Sequence, residues 1–489
     1  MSAAPLRVLY ATPECAPWAK TGGLGDVSAA LPAALAQQGC EIAILMPAYR
    51  SLHDLALRAL EVARIPARGD LPATSLLETR LDNGLTLLLL DAPTLYDREA
   101  GPYQDATGRD WPDNYIRFGT LSHAAAFVAR EGLASGWRPN VLHCHDWQTA
   151  LAPAYLHFEP AAQLATIVTI HNLAFQGLSP AATLSSLGLP ARSFGMDGVE
   201  FWGQVSFLKG GLSYADAITA VSPNYAREIQ GKDLGFGLDG LLHARRDVLH
   251  GILNGIDTDV WNPAHDPLIA APYDAQRFDA KRANKLALQK RLGLPQDAEI
   301  PLLGTVGRIT LQKGFDLITA IAEQILELPA QLVLLGSGKL EIENELLALQ
   351  AAYPRCIGLK IGFDEKLAHM IEAGADMFLM PSRFEPCGLN QMYSQRYGTP
   401  PIATATGGLV DTIVDYDPSA RNVDAATGFL LREATPEALL ETVRRAVDCY
   451  REPELWRTLC RNGMATDFSW NASAKRYVAL YRSLKKAGS

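Results

Sequence analysis

Short apolar runs alternate with longer amphipathic stretches along almost the whole chain. In the first half the runs fall at residues 8–11, 42–46, 85–90, 141–143, 166–170, 218–221 and 248–253. Each has the length of a strand, and the segments between them carry helical spacing. Strand and helix in alternation is the pattern of a parallel sheet with helices on its faces. A second set repeats it at 302–306, 332–335, 357–361, 377–380, 402–404 and 429–431. Several runs end directly in polar residues: His143-Cys144-His145-Asp146, His171-Asn172, Ser222-Pro223-Asn224, Asn254-Gly255 and Gly307-Arg308. A doubly wound sheet binds ligands beyond these carboxyl ends. Taken singly, each polar tip serves equally well as a helix cap.

The two sets predict an α/β protein of two Rossmann-like, doubly wound lobes. A proline-rich stretch from Trp261-Asn262-Pro263 through Pro267 to Pro272 reads as the crossing between them. The expected division is a first lobe over 1–262 and a second over 263–467, with a last helix, 468–489, opening at Asp467-Phe468-Ser469-Trp470. A length of 489 residues exceeds what one core usually supports. Hydrophobic content of 48 % and charged content of 20 % are those of a soluble globular protein. The net charge of −9 argues against a general nucleic-acid or anionic-membrane surface, and it requires local cations for any anionic ligand. Seven scattered cysteines give neither zinc-ligand spacing nor a disulfide framework, which points to a reducing cytoplasm. No charged, apolar and cleavable leader precedes Arg7, and Leu87-Leu88-Leu89-Leu90 stops at Asp91, short of a bilayer span.

Candidate chemistry gathers between Met380 and Thr412. One strand ends at Pro381-Ser382-Arg383 and leads into Glu385-Pro386-Cys387-Gly388-Leu389; the next leads into Thr406-Gly407-Gly408-Leu409-Val410-Asp411. Glycines let backbone amides approach an anion, and the following helix adds its positive end. Glu385 suits a sugar or ribose hydroxyl. Cys387 is either a small buried residue or a backbone donor. Lys20-Thr21-Gly22-Gly23-Leu24-Gly25-Asp26 repeats the glycine cadence in the first half, and two such turns suggest similar lobes facing one ligand. Asp26 can cap the helix or bind a sugar. Arg308 and Lys313-Gly314, just past a strand tip, suit a diphosphate, though such a pair in isolation is more often a solvated helix start. The irregular aromatic stretch between Tyr96 and Phe118, with Tyr103, Trp111 and Tyr115, is long for a connection. Its rings either stack on sugar faces or pack on the lobe.

In order along the chain, Lys20 to Val27, His171-Asn172, Arg308 with Lys313-Gly314, Glu385 to Leu389 and Thr406 to Leu409 resemble the bacterial glycogen synthases, the family shared with plant starch synthases. The resemblance implies two Rossmann-like domains facing a central cleft, the GT-B arrangement, with the last helix returning to the first lobe. It implies retaining transfer of glucose from ADP-glucose to the 4-hydroxyl end of an α-1,4-glucan such as glycogen. In that reading Arg308 and Lys313 neutralise the leaving diphosphate, Lys20 reaches it from the first lobe, and His171 lies against the glucose. Asp146, Asn172, Asn254, Tyr103 and Gly388 are further substrate contacts. Related retaining transferases place a second Glu eight residues after the first; here that position is Tyr393, as in glycogen synthases. Its absence leaves no paired-carboxylate machinery of the hydrolase kind. No cofactor or metal is expected, since Asp257-Thr258-Asp259 and Asp415-Tyr416-Asp417 do not follow strand tips as metal-holding pairs do. Crossings near Pro263 and Phe468 imply lobes that close over the donor. The rival readings are a two-lobed sugar-nucleotide enzyme with a small acceptor and a catalytically silent glucan-binding protein.

Overall fold

In a computed structural model, which describes residues 5–487 apart from 421, the chain divides into two compact units. One is the chain up to Gly255 together with the segment from Trp470; the other is Ile256–Ser469.

The first unit contains β1 (Arg7–Ala11), β2 (Glu41–Pro47), β3 (Leu60–Ile65), β4 (Thr74–Arg80), β5 (Thr86–Asp91), β6 (Val141–His145), β7 (Ala165–Ile170), β8 (Leu178–Pro180), β9 (Glu200–Phe201), β10 (Gln204–Ser206), β11 (Ala217–Ala220) and β12 (Leu249–Gly251). Nine of these form one sheet in the order β12-β11-β7-β6-β1-β2-β5-β4-β3. It is parallel from β12 to β5, but β5-β4 and β4-β3 are antiparallel. The parallel pattern read from the apolar runs does not extend to this edge, whose two outer strands were not among them. Leu81 to Leu85 around Asn83-Gly84 closes a hairpin, with Gly84 at φ +81°. Asn-Gly between strand-like runs is a strong hairpin signal. A separate small antiparallel sheet joins β8, β10 and β9.

The helix Trp470–Ala487 packs against the helix Gly23–Gln37 within this unit. Its buried stripe, Ala474, Tyr477, Val478 and Tyr481, follows helical periodicity. The Tyr481 hydroxyl lies 2.8 Å from Nδ1 of His143, the central residue of β6, so this helix braces the strand two residues before its polar tip.

The second unit has one parallel sheet, ordered β15-β14-β13-β16-β17-β18, from β13 (Leu302–Val306), β14 (Gln331–Gly336), β15 (Ile357–Ile361), β16 (Met377–Met380), β17 (Pro401–Thr404) and β18 (Phe429–Leu431). Successive side chains point to opposite faces, and both faces are buried. Leu303, Leu332, Leu334, Met377, Leu379 and Phe429 enter one core with Ile318, Ile321, Leu439 and Val443. Leu302, Val333, Leu335, Phe378 and Ala403 enter the other with Leu288, Leu367 and Ile371. The helix Pro436–Tyr450 shows how locally the ends are set. Thr435 caps it by accepting from the Ala438 amide, and Pro436 occupies its first turn, where a missing N–H is harmless.

The proline-rich stretch from Trp261 to Pro272, expected to be the crossing, packs within the second unit. Trp261 stacks between His369 and Tyr393, 3.9 Å from each ring, and the Tyr273 hydroxyl donates to the Tyr397 carbonyl at 2.7 Å. The prolines instead follow the first crossing, which falls at Gly255–Ile256.

Lys281 anchors this region. Its buried ammonium donates to the Ala373 and Tyr397 carbonyls (2.9 and 3.1 Å) and to Thr399 Oγ1 (2.7 Å), capping two helix ends. Burial pushes its pKa down to about 8. Lys281→Met leaves the Ala373 carbonyl without its ammonium donor and the Tyr397 carbonyl with the Tyr273 hydroxyl alone, and is expected to destabilise the unit by about 3 kcal/mol. An unchanged thermal midpoint would show that water takes the place of the ammonium.

Candidate functional site

The candidate residues fall into two groups, one in each unit, and each group lies where its sheet reverses direction. In the first unit the chain runs outward from β1 to β2 on one side and through β6 and β7 on the other, so the switch point lies between β1 and β6. The loop after β1 carries Lys20, Gly22 and Gly23. It is fixed by Glu14, a buried carboxylate that accepts the Thr21 amide at Oε2 and the Thr21 hydroxyl at Oε1 (2.7 Å each), and also the Tyr103 hydroxyl. A carboxylate so far out of water has to be met by several donors, and these donors set the loop. Gly22 and Gly23 are exposed at the start of the helix Gly23–Gln37. Lys20 Nζ is 2.7 Å from Asp26 Oδ1, an exposed pair worth at most about 1 kcal/mol. Lys20 can therefore exchange this partner for a stronger anion at little cost.

Past β6, Asp146 takes the left-handed conformation (φ +55°), uncommon for a residue with a side chain. The turn aims Oδ1 at the His171 amide 2.7 Å away, past the end of β7. Burial pushes the Asp146 pKa up to about 7 against the lowering effect of the His171 and Asn172 amides. Asp146 thus holds the His171 backbone. Asn172 Oδ1 accepts the Ala174 amide (3.1 Å), shaping the next turn. His171 itself is kept neutral, burial pushing its pKa down to about 3. Asn254, after β12, is buried with an Oδ1 that has no partner among the described residues, which makes it a ready acceptor.

A groove of about 770 Å³ opens beside these residues, within the same unit. Trp147 follows Asp146, Ala174 to Gly177 follow His171-Asn172, and both segments line it together with Trp111, Tyr115, Phe201 and Phe236. Two of the three aromatics singled out in the 96–118 stretch therefore face this groove. The third, Tyr103, has its hydroxyl committed to Glu14 and its ring against Phe118. Phe201 is brought to the groove wall by Lys209, whose buried ammonium donates to the Met196, Gly198 and Glu200 carbonyls (2.6, 3.1 and 2.6 Å).

In the second unit the switch point lies between β13 and β16. Arg308 follows β13; it is exposed and has no ion-pair partner among the described residues. Lys313 is half-buried, and its Nζ meets Glu385 Oε2 at 2.5 Å, with Ser382 Oγ on the same oxygen at 3.1 Å. Glu385 is 7 % exposed. This pair spans the switch point because Gly314 (φ +72°) lets the Lys313 turn come against Pro381; a Cβ there would meet the Pro381 carbonyl at 2.1 Å.

The second glycine-rich turn works differently from the first. A Cβ on Gly407 would sit 1.8 Å from the Glu385 carbonyl, and one on Gly408 would sit 2.3 Å from the Cys387 carbonyl. The Gly408 amide donates to the Glu385 and Pro386 carbonyls (3.1 and 3.2 Å), and the Leu409 amide donates to Thr406. These amides are engaged within the protein rather than presented to an anion. Thr406, Gly407 and Gly408 brace the Glu385-Pro386-Cys387 turn, whereas Gly22-Gly23 in the first unit lie open. Cys387 is buried, and Gly388 takes a positive φ of +74° at the turn into the helix that carries Leu389 at its start.

Sequence reasoning assigned no role to Glu14, His145 or Lys209. All three are buried polar groups inside apolar surroundings, and only their three-dimensional partners reveal what they hold. The ring of His145 is fully buried, with its Nδ1 2.9 Å from His171 Nε2.

Two units with doubly wound sheets of this kind are the architecture of the GT-B glycosyltransferases. Residues 7–244 match the starch synthase catalytic domain and residues 289–462 the glycosyl transferases group 1. The chain is 54 % identical over 485 residues to a glycogen synthase of Aromatoleum aromaticum, covering 99 % of this chain and 98 % of that one. It is equally 54 % identical over 478 residues to one from Dechloromonas aromatica, covering 98 % of each. Among solved structures it is similar to the catalytic domain of starch synthase IV from Arabidopsis thaliana bound to ADP and acarbose (TM-score 0.86, 33 % identity, 99 % of this chain and 100 % of that one). A sucrose-phosphate synthase from Thermosynechococcus elongatus shares the fold at TM-score 0.60 and 19 % identity. The chain belongs to the glycogen and starch synthase family of glucosyltransferases.

Gly408→Ala tests the bracing role. Its Cβ cannot fit without displacing the Cys387 backbone, so stability is expected to fall by about 1–3 kcal/mol, with a loss of turnover as Glu385 moves. A variant with unchanged thermal midpoint and unchanged turnover would show that the two turns are not coupled.

Proposed function

We propose that the chain transfers glucose from ADP-glucose to the non-reducing 4-hydroxyl end of an α-1,4-glucan, with retention at the anomeric carbon. The observation that carries this reading is the charged set at the second unit's switch point, Arg308 and Lys313 beside Glu385. Breaking the bond between the anomeric carbon and the phosphate oxygen leaves an added negative charge on the diphosphate. Cations already aimed at that position lower the barrier. Arg308 offers a fork of donors, and Lys313 is a mobile point charge that exchanges Glu385 for phosphate. Glu385, once released, accepts from a hydroxyl of the donor.

The glucan's 4-hydroxyl attacks the anomeric carbon on the face from which the diphosphate departs. Its proton passes to the departing phosphate oxygen. Nothing in this route calls for a second carboxylate, consistent with Tyr393 standing eight residues after Glu385 and stacking on Trp261. His171 and Asp146 support the glucose from the first unit, with Lys20 on the diphosphate. Arg308, Lys313, Lys20 and the start of the helix Gly23–Gln37 neutralise charge without a metal ion or other cofactor.

The groove supports a polymeric acceptor over a small one. Rings such as Trp111, Tyr115 and Phe201 present the flat apolar surface on which sugar faces stack, and a volume of about 770 Å³ accommodates several glucose units. The Arabidopsis starch synthase to which the chain is similar was solved with ADP and with acarbose, an oligosaccharide analogue, which agrees with both halves of the reading. Among the described residues no helix is long and apolar enough to cross a membrane.

A donor panel with glycogen as acceptor tests the reading: glucose incorporation with release of ADP is expected, at higher kcat/KM than with UDP-glucose. A higher efficiency with UDP-glucose would overturn the choice of donor. Arg308→Ala and Lys313→Ala should each lower kcat by about 10²- to 10³-fold, the loss of roughly 3–4 kcal/mol of stabilisation at a developing anion. Their stabilities should differ. Arg308 is exposed, whereas removing Lys313 leaves Glu385 buried without its cation, a cost of about 1–3 kcal/mol. Near-normal turnover in either variant would remove that residue from the machinery.

A further inference from the structure

Three buried histidine and tyrosine rings surround the strand tip behind His171. His145 lies against Tyr10, 4.0 Å between centroids, and against His143 at 4.1 Å. Its Nδ1 is 2.9 Å from His171 Nε2, and its Nε2 is buried with no partner among the described residues. His171 is half-buried, and Nδ1 is the nitrogen it leaves toward solvent. Burial holds both rings neutral, so they share one proton along the contact.

Two arrangements satisfy that contact. If His171 Nε2–H donated to His145 Nδ1, the remaining proton of His145 would sit on Nε2 as a buried N–H with no acceptor. If His145 Nδ1–H donates to His171 Nε2, His145 Nε2 carries no proton, and no buried N–H is orphaned. Buried N–H groups without an acceptor are rare in folded proteins, rarer than acceptors without a donor. The second arrangement also gives the His171 proton to Nδ1, where solvent or a ligand can accept it.

We infer that His145 is a positioning residue for His171: by donating Nδ1–H to His171 Nε2 it fixes the ring and its tautomer, so that His171 offers a ligand an N–H donor and no basic lone pair. On this assignment His171 is a hydrogen-bond donor to a sugar hydroxyl rather than a general base. The inference rests on the reading of His171 as lying against the transferred glucose. The Nδ1 partner of His145 is a ring nitrogen rather than a carbonyl, which ties the orientation of His171 to a single donor.

Nitrogen-15 chemical shifts of selectively labelled histidine in the full-length protein read the tautomer directly, whatever role His171 has in turnover. Protonation at Nδ1 with a bare Nε2 on His171 is expected, and Nε2–H on His171 would overturn the assignment. Kinetics of His145 variants then test the consequence. His145→Leu removes the donor; His145→Asn puts an amide N–H close to the place of Nδ1. The Leu variant is expected to lose about 10- to 100-fold in kcat with little change in KM, and its His171 should become a tautomer mixture. The Asn variant should recover most of the rate and the single tautomer. Equal kinetics for Leu and Asn, both with native thermal midpoints, would overturn the positioning role. If the Leu variant fails to fold, the Asn variant decides: a rate as low as 100-fold down with the tautomer intact also overturns it. His171→Ala serves as the control, since normal turnover there would defeat the underlying reading of His171 while leaving the tautomer result standing.

Discussion

A carboxylate taken out of water has to be met by several donors, and this constraint organises the polar ends of both sheets. Glu14 gathers the Thr21 amide, the Thr21 hydroxyl and the Tyr103 hydroxyl, and thereby fixes the loop that carries Lys20. Asp146 holds the His171 amide. Glu385 takes Lys313 and Ser382 on one oxygen. Each acid costs folding energy unless its donors are in place, so each one also selects the loop conformation that supplies them. The strands bring the loops to the edge, and the buried acids decide how the loops lie there.

Most of the strand framework was legible in the sequence because buried parallel strands read as uninterrupted apolar runs. β13, β15, β16 and β18 coincide with the expected segments at both ends. The antiparallel edge was not read, since β3 and β4 have mixed burial and carry Glu61, Arg64, Glu78 and Arg80 among their apolar residues. The hairpin at Asn83-Gly84 was the available signal. The prolines after Trp261, read as the crossing between lobes, follow a division at Gly255–Ile256, and Trp261 stacks on His369 and Tyr393 within the second unit.

Within the candidate site, residue types at strand tips were legible, but what each one holds was not. Thr406-Gly407-Gly408 and Thr21-Gly22-Gly23 look alike as strings. One pair of glycines exists because another backbone passes within contact distance, and the other lies exposed at a helix start. Sequence similarity between two turns records a shared need for absent side chains, and that need arises from close packing as readily as from an anion. Tyr103 is a comparable case, an aromatic whose hydroxyl, rather than its face, carries its main contact.

The two units also divide the electrostatics. The second unit places Arg308 and Lys313 at its switch point, one exposed and one leaning on a buried acid, so positive charge is available there with one reserve partner. At the carboxyl end of β6 and β7 the first unit does the opposite. Burial drives His143 and His171 down to about 3 and His145 well below its ordinary value, so the ring cluster around the strand tips stays neutral. On the proposed reading, in which His171 lies against the transferred glucose, a cationic imidazole there would raise the barrier as the anomeric carbon gains positive character, and a neutral N–H donor would not. On that reading, cations stand where the diphosphate would depart and neutral donors where the sugar ring would become electron-poor. Burial of a histidine cluster is a direct way for an apolar sheet to enforce that separation.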